Sequence, residues 1–202
     1  MRIVEHEILI NEGGFSSSPE FKKHITVVKS SIEQMVWPPG SRSFTLFEQS
    51  GKKTGEGNGV KPIKSIFMAK LEAMGWSLET SFDIATLRRP GPIDASIPCR
   101  GKFFCVEWET GNISSSHRAL NKMALGLLHE KLIGGILILP TRNMYQYLTD
   151  RVGSYSEIQP YFPMWKSLPV KEGYLAVIAV EQDFVSKNVP RFPKGTDGRA
   201  KV

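Results

Sequence analysis

The sequence predicts one α/β domain, and three observations support this prediction. Apolar residues recur at helical spacing in several stretches, while alternating or continuous apolar runs mark strands between them. The chain has 202 residues, of which 41% are hydrophobic, so it can bury a substantial core. We find no internal repeat and no linker-like stretch. A single domain over residues 1–202 is therefore expected, with a basic C-terminal arm at about residues 188–202.

The N-terminal part should combine a strand with an amphipathic helix. Residues 1–10 are strand-like, and Ser18 followed by Pro19 is the pattern of an N-cap and a first helical position. The helix should end before Pro38, which cannot continue it. Its apolar residues recur on one face: Phe21, Ile25, Val28, Ile32 and Met35.

A second strand, a second helix and a third strand should follow. Residues 41–47 can form a strand. The glycine-rich stretch 51–59 lacks the Gly-Lys-Ser/Thr ending of a phosphate-binding loop, so we expect a surface loop there. Pro62 should start a helix that Gly75 ends. Alternating apolar and polar residues over 76–82 then predict a strand.

The stretch 104–118 combines a strand, a polar turn and the start of a helix. Apolar and polar residues alternate over 104–109, which predicts the strand. Residues 110–112 form the turn, and Ser114 to Ser116 can cap a helix that runs to Glu130. The apolar residues of this helix recur at helical spacing: Leu120, Met123, Ala124, Leu127 and Leu128.

Two apolar strands should complete the core in the last third of the chain. Residues 133–139 and 174–180 are almost wholly apolar, as in strands covered on both faces. A short helix is expected over 141–147. Residues 153–169 are rich in aromatic side chains and are expected to be irregular, and the tail should start at about residue 189.

The composition indicates a cytoplasmic protein with an anionic partner. The formal charge is +6 and the pI about 9.3, which favours a polyanion such as nucleic acid, although a solvated basic tail is the alternative for the C-terminal cations. The chain has no apolar run of about 18 residues and no signal-peptide pattern, so we expect no membrane segment. Cys99 and Cys105 should then be reduced thiols.

Four acidic residues form a candidate metal site. Glu107 and Glu109 project from the same face of one strand, with Cβ atoms roughly 7 Å apart. A tight turn should bring Asp94 opposite Glu107 across a hairpin, and Glu79 is a fourth candidate. Converging carboxylates repel one another unless a cation neutralises them, and hard oxygen ligands with open positions suit Mg²⁺.

Two other interpretations of these acids remain open. They can be ordinary exposed strand residues, or they can be the acid–base pair of a carbohydrate hydrolase. The second interpretation predicts a neutral sugar substrate and no need for a metal. The basic composition favours an anionic substrate instead.

Polar residues at the start of the helix after the acids can read DNA bases. Asn112, Ser114 and Arg118 lie where a recognition helix presents its side chains to the major groove. Asp150 and Arg151 form a second pair, because aspartate accepts from cytosine and arginine donates to guanine. Helix capping or a surface ion pair is the alternative for each of them.

Several motifs, in order along almost the whole chain, resemble the BamHI family of Type II restriction endonucleases. The most specific is the Glu-Trp-Glu-Thr-Gly-Asn stretch from Glu107 to Asn112. The motifs are Asn58–Lys64, Gly91–Asp94, Glu107–Arg118, Tyr147–Val152, Pro160–Phe162, Asn188–Pro190 and Pro193–Gly198.

The resemblance implies the restriction-endonuclease (PD-(D/E)xK) fold, a central mixed sheet flanked by helices on both faces. It implies Asp94, Glu107 and Glu109 as the catalytic set. Glu79, Asp94 and Glu107 would hold Mg²⁺, with two ions in each active site, and Lys64 would lie near a phosphate. The expected assembly is a homodimer on palindromic double-stranded DNA, with the helix over residues 114–130 forming much of the interface.

The resemblance also implies which residues contact DNA. Asn112, Ser114, Arg118, Asp150 and Arg151 would read bases in the major groove. An arm would enter the minor groove with Lys194, Gly195, Asp197 and Gly198. The expected function is Mg²⁺-dependent cleavage of both strands at GGATCC, leaving 5′ overhangs. A sequence-specific DNA-binding protein without catalysis is the alternative.

Overall fold

A six-stranded mixed sheet forms the centre of the computed structural model, which describes residues 1–49, 57–82, 91–149 and 152–193. The strands are β1 (Arg2–Glu12), β2 (Thr45–Phe47), β3 (Ser77–Thr80), β4 (Ile93–Cys99), β5 (Lys102–Trp108), β6 (Leu132–Pro140), β7 (Gly173–Glu181) and β8 (Phe184–Ser186). The main sheet has the order β1-β7-β6-β5-β4-β3, and β2 pairs with β8 separately. β5, β6 and β7 are parallel, whereas the outer pairings are antiparallel.

Helices cover both faces of this sheet, which confirms the predicted fold class. They are α1 (Pro19–Glu33), α2 (Val60–Ala73), α3 (Ile113–Leu128), α4 (Arg142–Tyr145), α5 (Tyr155–Ile158) and α6 (Phe162–Lys166). α1 and α2 pack in one hydrophobic core, and α3, α5 and α6 pack in another. Alternate side chains of β6 enter the two cores, Ile136 and Ile138 on one face and Leu137 on the other, so this strand is apolar throughout.

The helix N-termini follow the capping rules, although one cap differs from the prediction. The Ser18 hydroxyl accepts a hydrogen bond from the backbone N–H of Phe21 at 3.1 Å, as predicted for α1. At α3 the cap is Asn112, whose side-chain oxygen accepts from the Ser114 N–H at 3.1 Å. The predicted caps Ser114 to Ser116 therefore lie inside the helix, and the Ser116 hydroxyl donates to Glu109 instead of capping the helix.

Two further segments differ from the prediction. α2 begins at Val60 rather than at Pro62, so the proline lies inside the first turn, where a missing N–H costs nothing. Residues 153–169 are not irregular: they form α5, a 3₁₀ turn (Gln159–Tyr161) and α6. Each of these is too short to show a helical repeat in the sequence.

The first residues of the expected C-terminal arm pack against the body of the protein. Phe192 is buried, and its ring stacks on Trp37 with the centroids 3.9 Å apart. Its carbonyl oxygen accepts from the N–H of Gly59 at 3.0 Å. The arm residues 194–202 lie outside the described part of the chain.

The apolar stripe of α3 faces the interior of the protein. Leu120, Met123 and Leu127 are buried against the sheet, so this stripe is not available to a second subunit. Leu125 and Leu128 are the large apolar residues that α3 leaves partly exposed. A dimer contact through α3 would therefore use Leu125 and Leu128 rather than the buried members of the predicted stripe.

Two expectations from composition can be compared with the structure. Cys99 and Cys105 are both buried and free, in keeping with reduced thiols. In the described ranges, we find no helix with the length and apolar character needed to cross a membrane.

Candidate active site

The β4–β5 hairpin places Asp94 beside Glu107, as the sequence predicts. Ala95 pairs with Val106, so the two acids occupy neighbouring positions on adjacent strands. The Asp94 N–H donates to the Glu107 carboxylate at 3.4 Å, and the Trp108 N–H donates to the Asp94 carboxylate at 2.8 Å. Both acidic side chains are about 10% exposed, so they share one small opening to solvent.

Two lysines from different helices neutralise this pair. Lys64 of α2 forms an ion pair with Asp94, and Lys122 of α3 forms one with Glu107. The Lys122 ammonium also donates to the carbonyl oxygens of Gly91 at 3.2 Å and Pro92 at 2.8 Å. Lys64 was expected to contact phosphate, and here it contacts the acid that would hold the metal. The sequence interpretation missed Lys122, although it lies one turn after Arg118 on the same side of α3.

Glu109 is held differently, by neutral donors. It follows the last residue of β5, and its carboxylate accepts from the Gly111 N–H at 2.5 Å and from the Ser116 hydroxyl at 2.8 Å. The backbone N–H of Glu109 donates to the carbonyl oxygen of Ile138 at 2.8 Å, which continues the pairing of β5 with β6. Glu109 is 5% exposed, and each of its two carboxylate oxygens accepts one of these hydrogen bonds.

Burial raises the pKa values of Glu107 and Glu109. The pKa of Glu107 rises to about 7, because burial disfavours its charged form and the charge of Asp94 adds to this effect, while Lys122 opposes it. The pKa of Glu109 is also raised by burial, and its hydrogen bonds from Ser116 and Gly111 work against the shift. Acids with raised pKa values in a cleft are typical of functional sites.

One open cleft of about 420 Å³ contains all three predicted catalytic residues. The charged side chains that line it are Lys64, Asp94, Glu107, Glu109, Arg118 and Lys122. Asn112 and Ser114 are exposed on the first turn of α3, close in the chain to the lining residues Gly111 and Ser115. The cleft therefore has acids on its floor and the start of α3 along one wall.

Other predicted site residues lie outside this cleft or outside the described residues. Glu79 is exposed and does not line the cleft, and its φ of 50° is unusual for a residue with a side chain. β3 pairs with β4 on either side of it, which sets Glu79 opposite Asp94 in the register. The predicted contacts Asp150, Arg151, Lys194, Gly195, Asp197 and Gly198 fall on residues that the structure does not describe.

The donor set of the cleft suits a hard divalent cation at two of the three predicted acids. Asp94 and Glu107 offer carboxylate oxygens side by side, and each already attracts a cation, the ammonium of a lysine. Among the described residues, no three His, Cys, Asp or Glu side chains are grouped closely enough to hold a metal ion. The expected convergence of all three acids is therefore not found, because Glu109 turns to Gly111 and Ser116.

Comparisons with known proteins agree on one class. A family model described as Restriction endonuclease BamHI matches residues 1–199. The chain is 48% identical to the Type II restriction enzyme OkrAI of Oceanobacter kriegii, over 99% of both chains. It is 35% identical to the Type II restriction enzyme BamHI of Bacillus amyloliquefaciens, over 98% of this chain and 93% of that one.

A solved structure supports the fold independently of sequence. The crystal structure of restriction endonuclease BGLII complexed with a DNA 16-mer matches with a TM-score of 0.61, over 95% of this chain and 90% of that chain. The two sequences are only 10% identical, so this match concerns the fold alone.

The family model and the two relatives thus define a restriction endonuclease, and the fold agrees with this class. The chain belongs to the BamHI family of Type II restriction endonucleases. The resemblance seen in the sequence motifs is confirmed. The two alternatives, a DNA-binding protein without catalysis and a carbohydrate hydrolase, are set aside.

Proposed function

We propose that this enzyme is a Mg²⁺-dependent homodimer that cuts both strands of palindromic DNA, with GGATCC as the site and 5′ overhangs as the product. The observation that best supports this proposal is the cleft itself. Asp94 and Glu107 lie side by side on its floor, and Arg118 lines the same cleft from the helix that begins beside it. The proposed hydrolytic acids and one proposed base-reading residue therefore line the same cleft.

Asp94 and Glu107 would hold the Mg²⁺ ions, with Glu79 as a further acid across the β3–β4 pairing. When bound, Mg²⁺ supplies positive charge that offsets the negative charge developing on the attacked phosphate. Glu109 is proposed to orient and deprotonate the attacking water, because its carboxylate is buried, fixed and has a raised pKa. Lys64, on the rim of the cleft, would move from Asp94 to a phosphate oxygen of the DNA.

Sequence recognition is proposed to start from the N-terminus of α3. Arg118 can donate two hydrogen bonds to guanine from the second turn of α3, Ser114 is exposed on the first turn, and Asn112 is exposed at the N-cap. Asp150 and Arg151 would read further bases in the major groove. Lys194, Gly195, Asp197 and Gly198 would follow the minor groove and add affinity more than specificity, because that groove separates little beyond A·T from G·C.

The proposed homodimer would place two clefts on the two strands of the palindrome. Exposed apolar side chains on α3 (Leu125, Leu128) and on the segment packed beside it (Tyr161, Met164) support this assembly. The ring of His117 on α3 contacts the Tyr161 ring with centroids 4.6 Å apart, which joins the two elements into one surface. Light scattering that gave a monomer, both free and on DNA, would contradict the proposal.

Digestion of plasmid DNA tests the catalytic part of the proposal. Two plasmids should be compared, one with a single GGATCC and one in which this site has a single base change. We expect cleavage of the first plasmid only, and only with Mg²⁺, and end sequencing should give 5′ overhangs. Cleavage in EDTA, or equal cleavage of both plasmids, would contradict the proposed metal dependence or the proposed site.

A further inference from the structure

The carboxylate of Glu109 is held on both oxygens by residues of the α3 start. One oxygen accepts from the Gly111 N–H at 2.5 Å, and the other accepts from the Ser116 hydroxyl at 2.8 Å. Ser116 is fully buried and Glu109 nearly so, at 0% and 5% exposure. The bond between them is therefore shielded from water, and its loss would leave one carboxylate oxygen without this donor.

The direction of the Ser116 hydroxyl is unusual for a serine inside a helix. Such a serine commonly bonds back to the carbonyl oxygen of the preceding turn. Here the hydroxyl donates out of the helix to an acid seven residues earlier in the chain. This hydrogen bond does not stabilise the backbone of the helix. Its effect is to hold the Glu109 carboxylate.

Gly153 fits tightly behind this hydroxyl. A Cβ added at Gly153 would lie 2.4 Å from the Ser116 hydroxyl oxygen and 3.1 Å from the Cα of Ile113. The Gly153 N–H donates to the carbonyl oxygen of Gly111 at 2.9 Å, and Gly111 in turn donates to Glu109. Glu109, Gly111, Ser116 and Gly153 therefore form one packed block.

We propose that Ser116 is a positioning residue for cleavage: its hydroxyl fixes the orientation of the Glu109 carboxylate, and Gly153 leaves the room that this hydroxyl needs. The inference rests on the proposed role of Glu109 toward the attacking water. An acid that must address one water molecule loses rate when its orientation is not fixed. In the structure Lys64 and Lys122 contact the other two acids, so neither ammonium holds the Glu109 carboxylate.

The primary test is Ser116→Ala, measured for single-turnover cleavage and for DNA affinity with Ca²⁺ in place of Mg²⁺. We expect cleavage to slow by about 10-fold to 100-fold, as for loss of a hydrogen bond to a charged group, while affinity stays within about twofold. Ser31→Ala is the matched control, because Ser31 is a buried helical serine on α1 that does not line the cleft. It should cleave at the wild-type rate, and its thermal stability gives the cost of removing a buried helical hydroxyl away from the cleft.

Gly153→Ala gives a second test of the role of Ser116. The cleavage rates of the single and double variants should differ from those expected if Ser116 only stabilised the helix. The added Cβ should displace the Ser116 hydroxyl and slow cleavage by a similar factor. In the double variant with Ser116→Ala the 2.4 Å overlap is gone, and the contacts with Ile113 remain, at 3.1 Å to its Cα and 3.3 Å to its backbone N. The double variant should therefore be no slower than either single variant, whereas two independent structural defects would multiply.

Three outcomes would overturn the inference. Ser116→Ala could cleave at the wild-type rate, it could lose affinity and cleavage in equal proportion, or its effect could multiply with that of Gly153→Ala. Glu109→Gln separates this inference from the proposed function. If Glu109→Gln cleaves like wild-type, the role of Glu109 fails and the inference fails with it. An impaired Glu109→Gln beside a fully active Ser116→Ala would overturn the inference alone.

Discussion

Glu107 and Glu109 stand two residues apart, line the same cleft and are held in opposite ways. Glu107 faces the ammonium of Lys122, whereas Glu109 faces a backbone N–H and a hydroxyl. A charge-paired acid can exchange one cation for another. An acid held by neutral donors keeps its orientation whichever cation is present. The comparison therefore supports the proposed division, with metal binding at Glu107 and Asp94 and the handling of water at Glu109.

The largest expected effect follows removal of a metal-binding charge. Asp94→Asn and Glu107→Gln should each slow single-turnover cleavage more than about 100-fold, because several kcal/mol of charge stabilisation at the transition state are lost. DNA affinity should survive or increase, since one negative charge no longer repels the phosphates. Gel-shift and cleavage assays on the same preparations check this. If Asp94→Asn cleaved at the wild-type rate, the proposal that Asp94 and Glu107 bind the metal would be wrong.

Lysine substitutions test whether the two glutamates differ in kind. Glu109→Lys should retain partial cleavage, because Asp94 and Glu107 still provide anionic oxygens. Glu107→Lys should abolish cleavage, since it sets a second ammonium beside Lys122 where a divalent cation must bind. Single-turnover rates of the two variants at saturating Mg²⁺ give the result. Equal inactivity would show that Glu109 is an essential ligand rather than a water-orienting group.

Loss of Lys122 should change cation affinity by a smaller factor. In Lys122→Met no ammonium competes for Glu107, so Ca²⁺ should bind the DNA-free protein roughly tenfold more tightly, by analogy with one lost charge pair in a partly buried site. Titration calorimetry measures this affinity without any cleavage. Lys166→Met, which removes the exposed ion pair with Glu7, is the matched control and should leave the affinity unchanged. An equal affinity in both variants would mean that Lys122 does not compete with the cation.

How far the sequence could predict this site depends on the range of the contacts. Glu107 and Asp94 were placed correctly because strand alternation and a tight turn are local. Lys122 was missed because its contact with Glu107 exists only once α3 packs over the sheet. The same holds for Phe192, whose stacking on Trp37 joins opposite ends of the chain. α5 and α6 could not be predicted because each is only about one turn long, which is too short to show any periodicity.

A pH dependence of stability in EDTA should also come from Glu107. Its pKa is about 7 in the folded protein, against 4.5 for the free side chain. Between these values the folded protein keeps a proton that the unfolded chain has released. Stability should therefore fall as the pH rises from about 4.5 to 7, by at most about 1.4 kcal/mol per pH unit from this group, and stay low above that window.

Urea unfolding at several pH values measures this decrease. The double variant Glu107→Gln with Lys122→Met removes the titrating acid without leaving an unpaired ammonium, so its stability should fall less between pH 5 and 7. Added Ca²⁺ should flatten the wild-type profile in the same way, because a divalent cation favours the ionised acid. Glu109→Gln keeps Glu107 and Lys122, so its profile should respond to Ca²⁺ as the wild-type profile does, and much more than that of the double variant. If Ca²⁺ changed the wild-type and double-variant profiles equally, the cation would not bind at Glu107, and the distinction between the two glutamates would fail.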